Sequence, residues 1–485
     1  MALTTEDWRS VRTILRIKLE LQALRPGQKE ALETVLQGQD ALAVLPTGSG
    51  KSAIYQIAAL MIPGPTVVVS PLIALQADQV ATIRENALGE ATVLNSLLRE
   101  SERQEVFESL GHDDLEFILL SPEQLANPQT LARLQQAKPS LFVVDEAHCI
   151  SEWGHSFRPD YLRLGQVIEA LGRPVTLALT ATASPEVRAE IAQRLGLRDP
   201  KIIVTGFDRP NVHLRVRGLT GAGLKQRELL ALLSAVNASG IVYVATRKNA
   251  EAVAAALVEA GHAAAAYHAG LKRSERMERQ EAFMAGTTRI IVATSAFGMG
   301  IDKPDVRFVV HYDVPDSLDS YYQEVGRAGR DGEPAWAMLF FSERDLNLKR
   351  FFAAGGKLSE ADLDVVLQAL DSQAALTQVE LQQATGLSKS QLERALARLE
   401  DQGVIQRELG GSIASKSLSV ARISCLRSAA VEAQEGLRQR RHDKLEEMRA
   451  YARARSCRRA ALLTHFGQES TEPCTGCDNC ELGAA

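Results

Sequence analysis

LPTGSGKS, residues 45–52, lies between the apolar run ALAV and the helix-forming run AIYQIAALM. Small residues in such a loop let backbone N–H groups wrap phosphate oxygens. The helix that follows turns its positive dipole end toward the same anion. In this strand–loop–helix setting Lys51 reaches toward the β- and γ-phosphates and the Ser52 hydroxyl toward Mg²⁺. Thr47, Gly48, Ser49 and Gly50 complete the cradle. Leu45 stands where the strict pattern has glycine, so the loop is a variant. An ordinary Gly-Ser turn is the competing reading.

Outward from this loop, short apolar, β-branched runs alternate with helical stretches. They fall at 41–45, 66–70, 117–121, 141–145 and 176–180, then at 240–245, 263–268, 289–294 and 308–312. Strands alternating with helices make parallel sheets. Two series imply two α/β domains, predicted over residues 1–207 and 208–350, with the break near 206–219.

Two further motifs sit on this frame. VVDEAH, residues 143–148, closes one apolar run. There Asp145 can hold Mg²⁺ through water and Glu146 can orient an attacking water. An acidic helix start resting on the dipole is the alternative. In YYQEVGRAGRDG, residues 321–332, Arg327 and Arg330 are three apart and share a helix face. Arginines there can stabilise a transferring phosphoryl group, an effect of about 10³–10⁵ in rate. A solvated arginine pair is the alternative.

Length and composition bound the rest. At about 150 residues per domain, 485 residues suggest about three domains. Hydrophobic residues at 45% and charged residues at 24% exclude a mainly disordered or fibrous chain. The formal charge of −5 does not advertise nucleic-acid binding, so such binding must rest on local patches. The start MALTTEDWRS carries acids and no apolar stretch, so no signal peptide is expected. No apolar run nears the ~18 residues of a spanning helix, so no membrane association is expected.

The region after 345 changes character. Residues 358–418 read as helix, turn, helix and a β-ribbon, similar to a winged helix. Gly386 ends one helix, Ser388 caps the next over 391–402, Gly403 ends it, and Gly410 and Gly411 suit a tight turn. Gln391, Arg394 and Arg398 on that second helix can meet phosphate; a small packing or protein-binding domain is the alternative. Residues 421–485 read as basic helices and a cysteine cluster. From 438 to 459 there are nine Lys/Arg and three Asp/Glu, a net of +6, which suits a duplex backbone or a solvated helix face equally. Cys457, Cys474, Cys477 and Cys480 have the spacing of a four-thiolate structural zinc site. Cys149 and Cys425 read as ordinary buried thiols, and His465 as packing. Clustered thiols in a chain without a secretion signal favour a reducing, cytoplasmic compartment.

Longer strings narrow the class. LRPGQ (24–28), PTGSGKS (46–52), VVVSPLIALQADQV (67–80), DEAHCISEWGHSFRPDY (145–161) and LTATA (179–183) occur in this order. GFDRPN (206–211), YHAGL (267–271), ATSAFGMGIDKPDVR (293–307) and QEVGRAGRDG (323–332) follow. Together they resemble the RecQ family of superfamily 2 DNA helicases over residues 20–345. The resemblance implies two RecA-like parallel-sheet domains, followed here by the winged-helix-like module and the small helical zinc-binding module. It implies that Arg25 and Gln28 recognise adenine, with ATP and Mg²⁺ as cofactors beside Zn²⁺. His148, Thr180 and Thr182 would couple hydrolysis to domain movement. Asp302 and Gln323 would belong to the nucleotide side of the second lobe, and Arg327 and Arg330 would be the arginine fingers.

The same resemblance makes the segment after DEAH a sensor of single-stranded DNA through Trp153, His155 and Arg158. Phe157 divides evenly between that role and core packing. Ser70, Thr246, Arg247, His268 and Thr294 are further phosphate-contact candidates, since hydroxyls and cations at strand ends read backbone rather than base; capping is the alternative for each. Two departures from the family stand out. Leu19 and Leu21 occupy a stretch where relatives often carry aromatics that stack on adenine, and the winged-helix-like segment precedes the zinc module instead of following it. The implied activity is ATP-driven 3′→5′ translocation on single-stranded DNA and unwinding of partly duplex DNA, in repair or recombination, by a chain expected to be monomeric. The rivals are an RNA helicase, a translocase that does not unwind, and an ATP-switched binding protein without multiple turnover.

Overall fold

The computed structural model describes residues 3–46, 48–95, 98–111, 115–151, 158–298, 301–353, 358–372, 375–407, 412–415, 420–470, 474, 476–481 and 483. The first sheet holds β1 (Ala41–Val44), β2 (Thr66–Val69), β3 (Ala91–Leu94), β4 (Phe117–Leu120), β5 (Leu141–Val144), β6 (Val175–Thr180) and β7 (Lys201–Val204). Its order is β3-β4-β2-β5-β6-β1-β7, with every pairing parallel. The second holds β8 (Val212–Gly218), β9 (Ser239–Tyr243), β10 (Ala264–Tyr267), β11 (Ile290–Ala293), β12 (Val306–His311) and β13 (Ala335–Phe341). Its order is β10-β11-β9-β12-β13-β8, also all parallel.

Helices cover both faces of each sheet, so the inner strands are apolar throughout and read as unbroken runs. That is why eight of the nine runs named from the sequence coincide with the inner strands β1, β2, β4–β6, β9, β11 and β12. Of the edge strands, β10 (AAAY) keeps an apolar run and is found, whereas β3, β7 and β8 are partly exposed, carry polar residues and give no such signal. β13, AWAMLFF, is fully interior but follows the arginine motif directly, beyond the last run recognised.

The winged-helix-like module has its own core around Leu363, Leu392, Leu396 and Leu399. Thr377 and Ser388 each open a helix with a reciprocal capping box, to Glu380 and Gln391. Gly386 and Gly403 take the positive φ that ends those helices, at +67° and +69°. The second helix runs Lys389–Asp401, and β14 (Ile405–Arg407) pairs antiparallel with β15 (Ile413–Ser415). Gly410 and Gly411 lie outside the described residues. Arg398 is only 5% exposed and bonded to Asp401, so it is part of the packing and not a phosphate contact.

Helix Val420–Arg453 returns along helix Glu343–Ala353, through Arg350–Glu446, Arg449–Glu343 and Arg453–Glu343 ion pairs. The module thus interrupts a helical pair that packs on itself. In the same basic stretch Arg438, Lys444, Arg458 and Arg459 have carboxylate partners as well. Cys149 is buried as expected; Cys425 is exposed, on the solvent side of the long helix, contrary to expectation.

Candidate nucleotide site, zinc centre and DNA track

The phosphate loop leaves the C-terminal end of β1 and enters helix Ser52–Met61. Gly48 and Gly50 adopt φ of +77° and +73°, and a Cβ on Gly48 would meet nothing within 4 Å, so the cradle stays open. The Ser49 hydroxyl is buried without a partner, as a phosphate oxygen would require. Thr47 lies outside the described residues. The Lys51 ammonium donates to the Leu45 carbonyl at 3.2 Å. Burial lowers its pKa, opposed by the carboxylates of Glu146 and Asp145.

Arg25 and Gln28, expected at adenine, both turn toward this loop. Gln28 Nε2 donates to the Ser49 carbonyl at 2.7 Å and the Gly50 carbonyl at 2.9 Å, and its Oε1 accepts from the Arg25 backbone at 2.7 Å. The Arg25 guanidinium donates to the Gly48 carbonyl. Both side chains therefore brace the loop here.

β5 delivers the acidic pair to the same place. Burial, then Glu146, push the Asp145 carboxyl up to about 6, against the pull of Lys51. Glu146 is left-handed at φ +49°, a strained conformation for that residue, and its Oε2 is buried without a hydrogen bond. Hard oxygens at Asp145, Glu146 and Ser52 fit a Mg²⁺ ion. His148 Nδ1 lies 2.9 Å from Thr180 Oγ1, which donates to the Thr182 carbonyl at 3.1 Å. Burial lowers the His148 pKa to about 4, so the ring is neutral at pH 7.

From the second sheet, Arg330 donates to Asp302 at 2.7 Å and to the Ile301 carbonyl at 2.6 Å, and its charge is felt at Lys51. Gln323 and Arg327 line a cavity of about 340 Å³ that Arg158 reaches from the first lobe. Three contacts were not anticipated. Tyr161 Oη donates to the Asp145 carbonyl at 3.0 Å, Gln79 bonds the Asp145 carboxylate, and Arg209 holds the arginine-bearing loop. Gln79, Tyr161 and Arg209 all lie inside the quoted strings, yet no spacing rule marks them.

In the zinc module the ligand atoms of Cys457, Cys474, Cys477 and Cys480 all lie within 4.8 Å of one another. A tetrahedral Zn²⁺ with Zn–S near 2.3 Å needs sulfurs about 3.8 Å apart, so the set fits. Cys457 caps helix Arg458–His465, its sulfur accepting from the Ala460 backbone at 3.4 Å. Asn479 pins the ligand loop to the Ala454 and Ser456 carbonyls at 2.9 and 2.7 Å. His465 stands outside the set and packs edge-on against Phe466.

Four family models match in succession: DEAD/DEAH box helicase over 25–191, helicase conserved C-terminal domain over 224–332, winged helix-turn-helix DNA-binding over 364–406 and RecQ zinc-binding over 418–481. The chain is 36% identical over 471 residues to the probable ATP-dependent DNA helicase RecS of Bacillus subtilis, covering 94% of this chain and 89% of the relative. The chain belongs to the RecQ family of ATP-dependent DNA helicases. It is also 36% identical to the Synechocystis RecQ helicase, with 98% and 99% of the two chains covered. To the Pasteurella multocida RecQ helicase it is 42% identical over 334 residues, which are 68% of this chain and 52% of that one. The helicase MrfA bound to DNA and AMPPNP superposes with a TM-score of 0.60 at 18% identity, over 87% of this chain and 63% of that one, which reports the fold.

For this RecQ chain the DNA candidates divide. Trp153, His155 and Phe157 lie outside the described residues. Arg158 projects to the cleft and donates to the Pro71 carbonyl at 2.8 Å. Arg247 is exposed, while Thr246 and Thr294 accept hydrogen bonds from Asn249 and Ala296 backbones at 3.1 and 3.4 Å. Ser70 is fully buried and His268 nearly so, the latter 3.2 Å from Glu251, so neither presents itself to a strand in this conformation.

Proposed function

We propose that this RecQ chain hydrolyses ATP between its two RecA-like lobes to translocate 3′→5′ on single-stranded DNA and unwind partly duplex DNA. The observation that carries the reading is the strand order β5-β6-β1, which brings Asp145 and Glu146 to the same sheet end as the Lys51 loop, with Arg330 held to Asp302 at 2.7 Å on the second lobe.

In this mechanism the loop amides and Lys51 bind the phosphates, and Glu146 orients the attacking water. Mg²⁺, held by Ser52 and Asp145, would supply countercharge to the β- and γ-phosphates. Arg327 and Arg330, with Gln323, meet the γ-phosphate when the lobes close, and Arg330 must exchange Asp302 for it. Electrostatic stabilisation of that kind acts only in the closed, water-poor site. His148, Thr180 and Thr182 pass the change in the site to the lobe interface. Trp153, His155 and Arg158 grip single-stranded DNA there, with Thr246, Arg247 and Thr294 from the second lobe. Arg25 and Gln28 favour adenine while bracing the loop.

The working division is residues 1–207 and 208–350 for the lobes, 358–418 for the winged-helix-like module and 421–485 for the zinc module. We place the chain in a reducing cytoplasm, because four clustered thiols must stay reduced to hold zinc, and take it to act as a monomer. No helix among the described residues is long and apolar enough to cross a membrane.

The test is steady-state ATP hydrolysis alone and with single-stranded DNA, duplex DNA or RNA. Strong stimulation by single-stranded DNA supports the reading. Equal stimulation by RNA moves the substrate, and no multiple turnover under any condition replaces the motor with a switch.

A further inference from the structure

The segment joining the two sheets, residues 206–211, makes contacts that nucleotide binding does not explain. Arg209 Nη1 donates to the Gly326 carbonyl at 3.1 Å, and its Nη2 to the Ala328 and Gly329 carbonyls at 2.7 and 2.9 Å. Asn211 Nδ2 donates to the Gly329 and Glu333 carbonyls at 2.8 and 2.9 Å. These carbonyls follow helix Leu318–Val325 and frame the loop that carries Arg327 and Arg330. Carbonyls past a helix end have no intrahelical donors and must find others. Gly329 sits at φ +59°, and a Cβ there would lie 2.5 Å from Asn211 Nδ2 and 2.8 Å from the Glu333 carbonyl. Glycine permits the close approach.

The zinc module grips the same segment from behind. Arg459 Nη2 donates to the carbonyls of Arg209, Pro210 and Val212 at 3.3–3.4 Å, and its Nε lies 3.4 Å from the Asp208 carboxylate. The Leu214 backbone donates to the Gly476 carbonyl, inside the cysteine loop, at 2.9 Å. Arg459 is the second residue after Cys457. Cluster, connecting segment and arginine loop are thus joined by a continuous set of short polar contacts.

We propose that Arg209, assisted by Asn211, is a positioning residue for Arg330, through the Gly329 carbonyl that both hold, and that Arg459 makes the zinc module part of its support. This rests on the reading of Arg327 and Arg330 as the groups that act on the γ-phosphate. A guanidinium offers a rigid fork of donors, whereas a lysine ammonium is a single flexible point. Displacing a catalytic group by about 1 Å costs on the order of 100-fold in rate.

The experiment compares Arg209→Ala, Arg209→Lys and Arg330→Ala singly, and Arg209→Ala with Arg330→Ala together, in DNA-stimulated ATPase assays on zinc-loaded protein. Nucleotide affinity, single-stranded oligonucleotide affinity and zinc content are measured alongside. Arg209→Ala should lower kcat by roughly 10- to 100-fold while KM for ATP and DNA affinity stay within about 3-fold. Arg209→Lys should recover little. The double variant should be no slower than Arg330→Ala, because residues acting through one group are non-additive. An unchanged kcat in Arg209→Ala, a defect carried by KM, or multiplicative losses in the double variant would each overturn the proposal.

Should Arg209→Ala not fold, Asn211→Ala carries the test: a smaller fall in kcat, again absent from an Arg330→Ala background, supports the proposal, and an unchanged kcat overturns it. Arg459→Gln should keep its zinc and still lower kcat, and a normal kcat removes the zinc module from the scheme. Full activity in both Arg327→Ala and Arg330→Ala marks failure of the underlying site reading. Inactive arginine-loop variants beside a normal Arg209→Ala mark failure of the positioning proposal alone.

Discussion

Phe466→Ala tests how the zinc module is tied to the motor. Phe466 is fully buried, stacked on Phe207 at 4.6 Å between centroids and 21° between planes, and tilted against Tyr322 at 4.7 Å. Phe207 begins the segment between the sheets, and Tyr322 belongs to the helix that leads into the arginine loop. The ring therefore contacts both lobes. Arg188 also reaches the Phe466 carbonyl at 2.5 Å, and the Phe207 backbone donates to Gln468 at 2.6 Å, but alanine leaves both bonds possible. The loss is then packing alone, about 3–5 kcal/mol for a buried phenylalanine truncated to alanine. With a urea dependence of about 2 kcal/mol per M, the midpoint for undocking the module falls by about 2 M. The assay is urea titration of zinc-loaded protein, read by zinc release to a chromophoric chelator and by proteolysis between 466 and 474. Phe466→Leu, which keeps much of the volume, should recover half or more of the loss. A midpoint within about 0.3 M of the parent, where surface substitutions fall, would refute the view that this ring fastens module to lobes.

Lys51→Ala should abolish ATP hydrolysis, and Glu146→Gln should retain nucleotide binding with kcat down by at least about 100-fold, the scale of lost acid–base positioning; turnover by either at the parent rate contradicts the site. His148 supplies a pH dependence. Its folded pKa of about 4 lies below the ordinary 6.5, so the unfolded chain takes up a proton first as pH falls. Its contribution is complete above pH 6.5 and is lost between 6.5 and 4, about 3 kcal/mol in all at 1.36 kcal/mol per pH unit. His148→Asn should flatten the stability profile in that window, measured by denaturant unfolding at successive pH values, and an unaltered slope contradicts the assignment. Metal analysis should return one zinc per chain, and Cys474→Ser should lower zinc retention; a full complement in that variant removes Cys474 from the ligand set.

The order of elements and the chemistry of the nucleotide loop were legible because they depend on short windows. Buried parallel strands must be apolar on both faces, a phosphate loop must be small and precede a helix, and a helix end must be capped within a residue or two. The edge strands β3, β7 and β8 carry no such run because partial exposure removes the constraint that makes β2 or β5 conspicuous, whereas the edge strand β10 stays apolar and is legible. The burial of Arg398 and the exposure of Cys425 were misjudged because helical spacing alone does not say which face a neighbouring module covers.

What the sequence determined by itself is the local chemistry: two parallel sheets, Lys51 and Ser52 in a phosphate loop, Asp145 and Glu146 at a strand end, and four cysteines at metal spacing. What the tertiary structure decided is which of these act together. The order β2-β5-β6-β1 puts the acidic strand end beside the phosphate loop, and the return of the chain after the winged-helix-like module seats Phe466 and Arg459 against the segment between the sheets. Such pairings unite residues from 94 (Lys51 and Asp145) to 259 (Phe207 and Phe466) positions apart. They follow from how strands are ordered and helices docked, which depends on burial and hydrogen bonding across the whole molecule and leaves no mark in any short stretch of sequence.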